Sequence, residues 1–232
     1  MYVLAFGGAA LLAAALIGGT FLLTRDSSKP ASQAVTSSVA IDGAAGVNKL
    51  LAGIPQNGAI LGKPKAPVTL VEYADLQCPY CARVAVGDFP ALVREYVRTG
   101  KVRVVFDGLS FVGPDSVTAL ETAFAAGKQH RLWNVVQLLY ANQGAENSGW
   151  VTDDLLRGVG RAVPGLDVDS MLAARSDAGV ASARDAAQRS AATAGVNGTP
   201  SFAVGRTNDV LTLLPSSDVQ SVRAALDAAL GR

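Results

Sequence analysis

Cys78 and Cys81 are the only cysteines in this chain, and they stand three residues apart at the end of an apolar, β-favouring run, Val68-Thr-Leu-Val-Glu-Tyr-Ala-Asp-Leu-Gln77. Chance gives that spacing to two cysteines about one time in a hundred. Three physical causes can produce it: half of a zinc site, a structural staple, or a redox dithiol. Zinc fails on ligand supply, because a structural tetrahedral site takes four nitrogen or sulfur donors and the chain holds two Cys and one His. The staple fails on magnitude, since closing a four-residue loop removes only about 2 kcal/mol of unfolded-state entropy. The dithiol remains, and its local chemistry is favourable. Pro79 suits the first position of a helix, where a missing N–H costs nothing. Cys78 is then the N-cap, where unpaired N–H groups and the helix dipole favour thiolate over thiol. Cys81, one turn on, faces the same way and can attack a mixed disulfide formed on Cys78.

A chain of 232 residues that is 50% hydrophobic can bury one substantial core. Its net charge of +1 comes without a basic cluster, which gives no case for a nucleic-acid partner. Residues 2–23 carry no charge, a run longer than the eighteen or so residues that mark a candidate membrane span. A removed signal peptide is the weaker alternative, because its apolar core is shorter and no small-x-small site follows promptly. The expectation is an uncleaved transmembrane anchor over residues 1–24, a Ser- and Pro-rich flexible tether over 25–44, and a folded domain over 45–232. Arg25 and Lys29 follow the span and nothing basic precedes it. The positive-inside rule alone would therefore put the folded domain in the cytoplasm.

Beyond the tether, Val47, Leu50, Leu51 and Ile54 recur at helical spacing, and residues 58–61 fit a short edge strand. Residues 68–74 suit a buried central strand. The helix opening at Pro79 meets Gly87-Asp-Phe-Pro90, which predicts a break or kink, with Asp88 able to cap a second segment over 90–98. Residues 101–106 form a strand. From 114 to 195 the pattern is helical, with helices over 116–129, 131–143, 152–162, 168–175 and 180–194. His130, the lone histidine, reads as a solvated helix position. Trp133, Val136, Leu139 and Tyr140 make an apolar stripe suited to core packing. Strands follow at 201–204 and 210–214, then a helix at 217–230. A βαβ half and a ββα half are thus joined by an insertion at about 114–194, an α/β arrangement with the thioredoxin topology.

Three features resemble the DsbA-like branch of the thioredoxin superfamily, the extracytoplasmic thiol:disulfide oxidoreductases. They are Glu72-Tyr-Ala-Asp-Leu-Gln-Cys-Pro-Tyr-Cys81, Gly195-Val-Asn-Gly-Thr-Pro-Ser-Phe202, and the 122 residues that separate Pro200 from Cys78. That separation leaves room for the family's helical insertion and is too long for a bare thioredoxin or glutaredoxin. The resemblance implies that Cys78 is the nucleophile and Cys81 the resolving thiol. It also implies that Pro79, Tyr80, Thr199 and Pro200 face the substrate. Thr199-Pro200 would be the family's cis-proline loop, freeing the backbone of residue 199 to pair with a substrate peptide; from the residues alone, a trans proline opening a strand is an equal alternative. Glu72 stands where the family often buries an acid, which could relay a proton from Cys81. Its alternative is an outward-facing surface glutamate. Asp75 suits a turn or cap. Tyr80 stands where the most oxidising members carry His, so one cationic stabiliser of the thiolate is missing.

The expectation is a single-pass protein of a bacterial cytoplasmic membrane, its catalytic domain outside, donating disulfides to exported proteins with cysteine thiols. The resemblance implies a quinone-linked membrane partner that reoxidises the pair. No metal or organic cofactor is called for. Two alternatives stay open: a disulfide reductase, for example one serving cytochrome c maturation and supplied with electrons through the membrane, and an anchored polypeptide-binding protein with an incidental dithiol.

Overall fold

The computed structural model describes residues 39–232. The expected anchor and most of the tether lie outside the described residues. Among those described, no helix is long and apolar enough to cross a membrane.

All eight residues of β3 (Val68–Asp75) are buried, as a strand covered on both faces requires. It runs parallel to β4 (Val102–Leu109) and antiparallel to β5 (Ser201–Arg206). With β1 (Gln56–Asn57), β2 (Ile60–Leu61) and β6 (Thr212–Leu213), the sheet has the order β1-β2-β4-β3-β5-β6. The strand expected at 58–61 exists as β2. It is not an edge, because Gln56–Asn57 folds back beside it and takes that place.

A parallel β3–β4 pair needs a crossover, and the chain after Cys78 supplies it. Helices α2 (Pro79–Arg83) and α3 (Phe89–Leu92) alternate with π-helical segments Val84–Asp88 and Val93–Val97. Of the break or kink expected at Gly87–Pro90, the break does not occur. Pro90 removes a backbone donor and crowds the carbonyl one turn back; the wider π turns beside it accommodate both effects without ending the helix. Asp88 accordingly makes no side-chain cap hydrogen bond.

Between β4 and β5 lies the helical insertion: α4 (Pro114–Gly127), α5 (Leu132–Ala141), α6 (Asp153–Arg161), α7 (Val168–Ala173) and α8 (Ala178–Ala194). Thr152 and Asp167 cap α6 and α7 by accepting from Leu155 N and Ser170 N. Asp218 does the same for the last helix, α9 (Val219–Ala229), through Ser221 N. His130 departs from expectation. It is exposed, but it sits at φ 58° in the turn between α4 and α5, not on a helix. From Leu132 to Tyr140, α5 is buried on every side. Trp133 stacks on Phe89 at 5.1 Å between ring centroids and meets Phe106 edge-on at 5.8 Å, so the insertion shares one core with the crossover and the sheet. The first helix, α1 (Ala44–Leu51), also packs on α5. Asp42 N donates to Asn142 Oδ1 at 2.9 Å, which ties the chain to the insertion just before the boundary drawn at 45.

Candidate active site

Cys78 is the N-cap of α2, extended at φ −70° and ψ 119°, with Pro79 at the start of the helix. The cysteines are thiols in this structure; Cys81 is wholly buried and Cys78 is 7% exposed. A hydrogen bond from Cys81 is the largest influence on Cys78. Burial opposes it, while the Thr199 side chain and the N–H groups of Cys81 and Tyr80 add to it, and the balance lowers the Cys78 pKa from 9.0 to about 6. Cys81 is pushed strongly upward, first by burial and then by its hydrogen bond to Cys78 and the charge there. One sulfur can therefore be ionised and nucleophilic near neutral pH while its neighbour keeps its proton.

Thr199, 121 residues further along, reaches the same place. The Cys78 thiol donates to its carbonyl oxygen at 3.4 Å, and the Thr199–Pro200 peptide bond is cis. Pro79 is exposed beside the dithiol, and Tyr80 is 61% exposed with the Arg83 guanidinium 4.3 Å from its ring centroid. Of the six expected residues other than Glu72, Pro79, Tyr80, Thr199 and Pro200 thus form one surface patch around Cys78, and Cys81 is buried beneath that patch.

Glu72 lies underneath it. On β3 it is in register with Phe106 of β4 and Phe202 of β5, both of which are buried in the same core cluster as Cys78 and Cys81. Register partners in a sheet share a face, so the carboxyl lies between two apolar rings. It is 1% exposed, and among the described residues its Oε2 has no hydrogen-bond partner. Burial raises its pKa from 4.5 to about 7. The surface-glutamate alternative is excluded.

A thioredoxin family model matches residues 55–227. The chain belongs to the thioredoxin family. Over 112 residues it is 36% identical to the probable disulfide bond formation protein D of Bacillus cereus, a match covering 47% of this chain and 52% of that protein. The chain thus spans about half the length of the first curated relatives it matches. Among solved structures, oxidised BdbD from Bacillus subtilis aligns with a TM-score of 0.66 at 22% identity, covering 77% of this chain and 98% of that one. A thioredoxin-like oxidoreductase from Silicibacter pomeroyi aligns with a TM-score of 0.56 at 28% identity, covering 75% and 92%. The architecture is DsbA-like, a thioredoxin fold carrying a helical insertion.

In this chain the turn that leads into α2 is gripped by the insertion. Asp75 is wholly buried. Its Oδ1 accepts from Gln77 N at 2.9 Å and Ser116 Oγ at 2.6 Å, and its Oδ2 from Phe111 N at 3.0 Å and Val112 N at 3.1 Å. That is a turn-organising role, as the sequence suggested. The Gln77 amide bonds Ser116 Oγ at 3.0 Å, Asn147 Oδ1 at 3.3 Å and, in return, Asn147 N at 2.7 Å. Tyr140 Oη donates to the Asp75 carbonyl at 3.3 Å. Gln143 Nε2 donates to the carbonyls of Leu76 at 2.8 Å and Cys78 at 3.2 Å. Sequence reasoning treated Tyr140 as core packing alone and passed over Gln77, Ser116, Gln143 and Asn147. The one available signal was Tyr140 itself, because a tyrosine ending a buried stripe needs a partner for its hydroxyl.

Proposed function

We propose that this protein is a thiol:disulfide oxidoreductase that forms disulfides in exported proteins through Cys78-Pro79-Tyr80-Cys81. The observation that carries the reading is the asymmetry of the pair: Cys78 at the N-cap with its pKa lowered to about 6, and Cys81 buried behind it and held protonated. The resemblance to disulfide bond formation protein D supports the same reading.

In the oxidised enzyme a substrate thiolate attacks Cys78 Sγ. A substrate–Cys78 bond forms, the Cys78–Cys81 bond breaks, and Cys81 leaves with the electron pair. Its leaving thiolate lies in an apolar site, so it needs a proton; Glu72, half protonated near pH 7, is the group we assign to deliver it. A second substrate thiolate then attacks the substrate sulfur, forming the substrate disulfide and releasing Cys78 as a stabilised thiolate. Two electrons have moved from substrate to enzyme, and a quinone-linked membrane partner is the proposed acceptor. Tyr80, Pro79, Thr199 and Pro200 present the surface on which the substrate peptide lies. The uncharged run 2–23 is proposed as the membrane anchor, with this site outside the membrane; recovery of the full chain in a salt-washed membrane fraction is the expected result, and a wholly soluble chain would contradict it.

Equilibration with glutathione tests the chemistry. With Tyr80 in place of a cationic neighbour, the expected potential is about −180 to −230 mV. A value as oxidising as about −120 mV would show that the thiolate is stabilised by something else. The state of the pair in the cell then separates donor from reductase: an oxidised pair supports disulfide formation, and a reduced pair supports the reductase that serves as the second reading.

A further inference from the structure

Four consecutive residues, Asp75 to Cys78, carry the chain from the end of β3 into α2, and three of their carbonyl oxygens are held from a single place. Tyr140, on the last turn of α5, takes the Asp75 carbonyl, which also accepts from Cys78 N at 3.0 Å. Gln143, three residues further on, takes the carbonyls of Leu76 and of Cys78 itself. Tyr140 is buried, and Gln143 partly so.

We infer that Tyr140 and Gln143 are positioning residues for Cys78, through which the helical insertion fixes the N-cap geometry that keeps its sulfur nucleophilic. The inference rests on the dithiol function proposed above. Two physical effects act in the same direction. The N–H groups that open α2 stabilise a thiolate only while Cys78 stays extended at the cap, and the carbonyl bonds hold it there. A carbonyl oxygen in a poorly hydrated site also presents a negative dipole end to the neighbouring sulfur; a donor on that oxygen offsets it. Loss of either donor loosens the cap and weakens the compensation of its carbonyl, the Asp75 carbonyl keeping Cys78 N and the Cys78 carbonyl keeping Ala82 N at 3.1 Å, so both effects raise the cost of ionising Cys78. The hydroxyl of Tyr140 is itself surrounded by the groups that matter here. After burial, the charges of Cys81, Glu72, Asp75 and Cys78, in that order, are what hold its pKa well above the ordinary value. Arg83, over the Tyr80 ring, is a nearby cation, and none of these groups is changed by a substitution at Gln143.

The test is the rate of alkylation of Cys78 across a pH series in the reduced protein, for wild type, Tyr140→Phe, Gln143→Met and Tyr73→Phe. Tyr140→Phe and Gln143→Met keep the approximate shape and remove the groups that donate to the three carbonyls. Tyr73→Phe makes the same chemical change on the other face of the sheet, where the hydroxyl pairs with Ser190 Oγ at 3.3 Å. The expected result is a fall of about fivefold in the rate at pH 6 for each of the first two, with the midpoint moved up, and no change for the third. Near-ultraviolet circular dichroism establishes that each variant is folded; if one is not, the other still decides. A wild-type midpoint near 6 with unshifted variants overturns this inference and leaves the proposed function standing. A shift of equal size in Tyr73→Phe overturns it as well. A wild-type midpoint near 8.5, that of a free thiol, overturns both.

Discussion

Replacing Cys78 with serine is expected to abolish oxidative folding of a reduced substrate, with a loss of about a thousandfold or more. A hydroxyl can neither form the mixed disulfide nor leave as a stabilised anion, and Cys81 cannot take over. It is wholly buried, and burial together with its bond to Cys78 keeps its thiol protonated. The companion variant, Cys81→Ala, is expected to behave differently. Given a disulfide-bonded substrate, its Cys78 thiolate still attacks one substrate sulfur, the other substrate sulfur leaves as thiolate, and with no Cys81 to displace the bound substrate the mixed disulfide accumulates on Cys78. The two variants should therefore be equally poor in turnover and opposite in trapping. Iodoacetamide labelling at pH 6 followed by mass mapping checks the assignment directly: label on Cys78 in wild type and none on Cys81 in Cys78→Ser. Efficient labelling of Cys81 in that variant would reverse the roles given to the two sulfurs.

How far this site could be read in advance depends on how local each of its parts is. The Cys78 cap was legible because Cys-Pro sets it within three residues: proline fixes the first helical φ, and the sulfur takes the place that a serine or aspartate usually fills. The middle position of β3 was legible because residues 68–74 are a mostly apolar, β-favouring run, and all eight residues of the strand are buried. Glu72 breaks that run, and the sequence alone could not decide whether it turned outward. Its environment is made by Phe106 and Phe202, which lie 34 and 130 residues away and come together only through strand register. The grip on the turn was the least legible part. Asn147, Ser116 and Gln143 are ordinary loop and helix residues in their own neighbourhoods, and only the packing of the insertion against β3 gives them Asp75, Gln77 and Cys78 as partners. Whether the helix broke or merely bent at Pro90 was left open for a related reason: the π turns that absorb the proline draw on the neighbouring core, which no local signal records.

Glu72→Gln is expected to make the protein more stable at alkaline pH and slower at chemistry, and the two changes come from one carboxyl. In the folded protein its pKa is about 7 and its ordinary value is 4.5. Below 4.5 both folded and unfolded chains hold the proton, and the wild type has its full stability. As pH rises from 4.5 the unfolded chain ionises while the folded one does not, so stability drains away until the folded group also ionises near 7. Above that the loss is complete, at about 3 kcal/mol. Glutamine has no proton to lose and avoids this change. The Cys78 thiolate acts with the opposite sign: its stabilisation is present above 9 and lost as pH falls through about 6. Since both proteins carry Cys78, subtracting their denaturant-unfolding curves in the reduced state removes that contribution. The difference between Glu72→Gln and wild type should therefore grow by about 3 kcal/mol between pH 4.5 and 8, and a difference that stays flat would mean that Glu72 is not held protonated between Phe106 and Phe202. The same substitution removes the proposed proton donor for Cys81 as it leaves. Substrate oxidation at pH 7 should slow by about tenfold to a hundredfold, with alkylation of Cys78 little changed. Unaltered oxidation with the stability effect intact would assign Glu72 a purely structural cost and send the search for the proton donor elsewhere, beginning with solvent at the Cys78 surface.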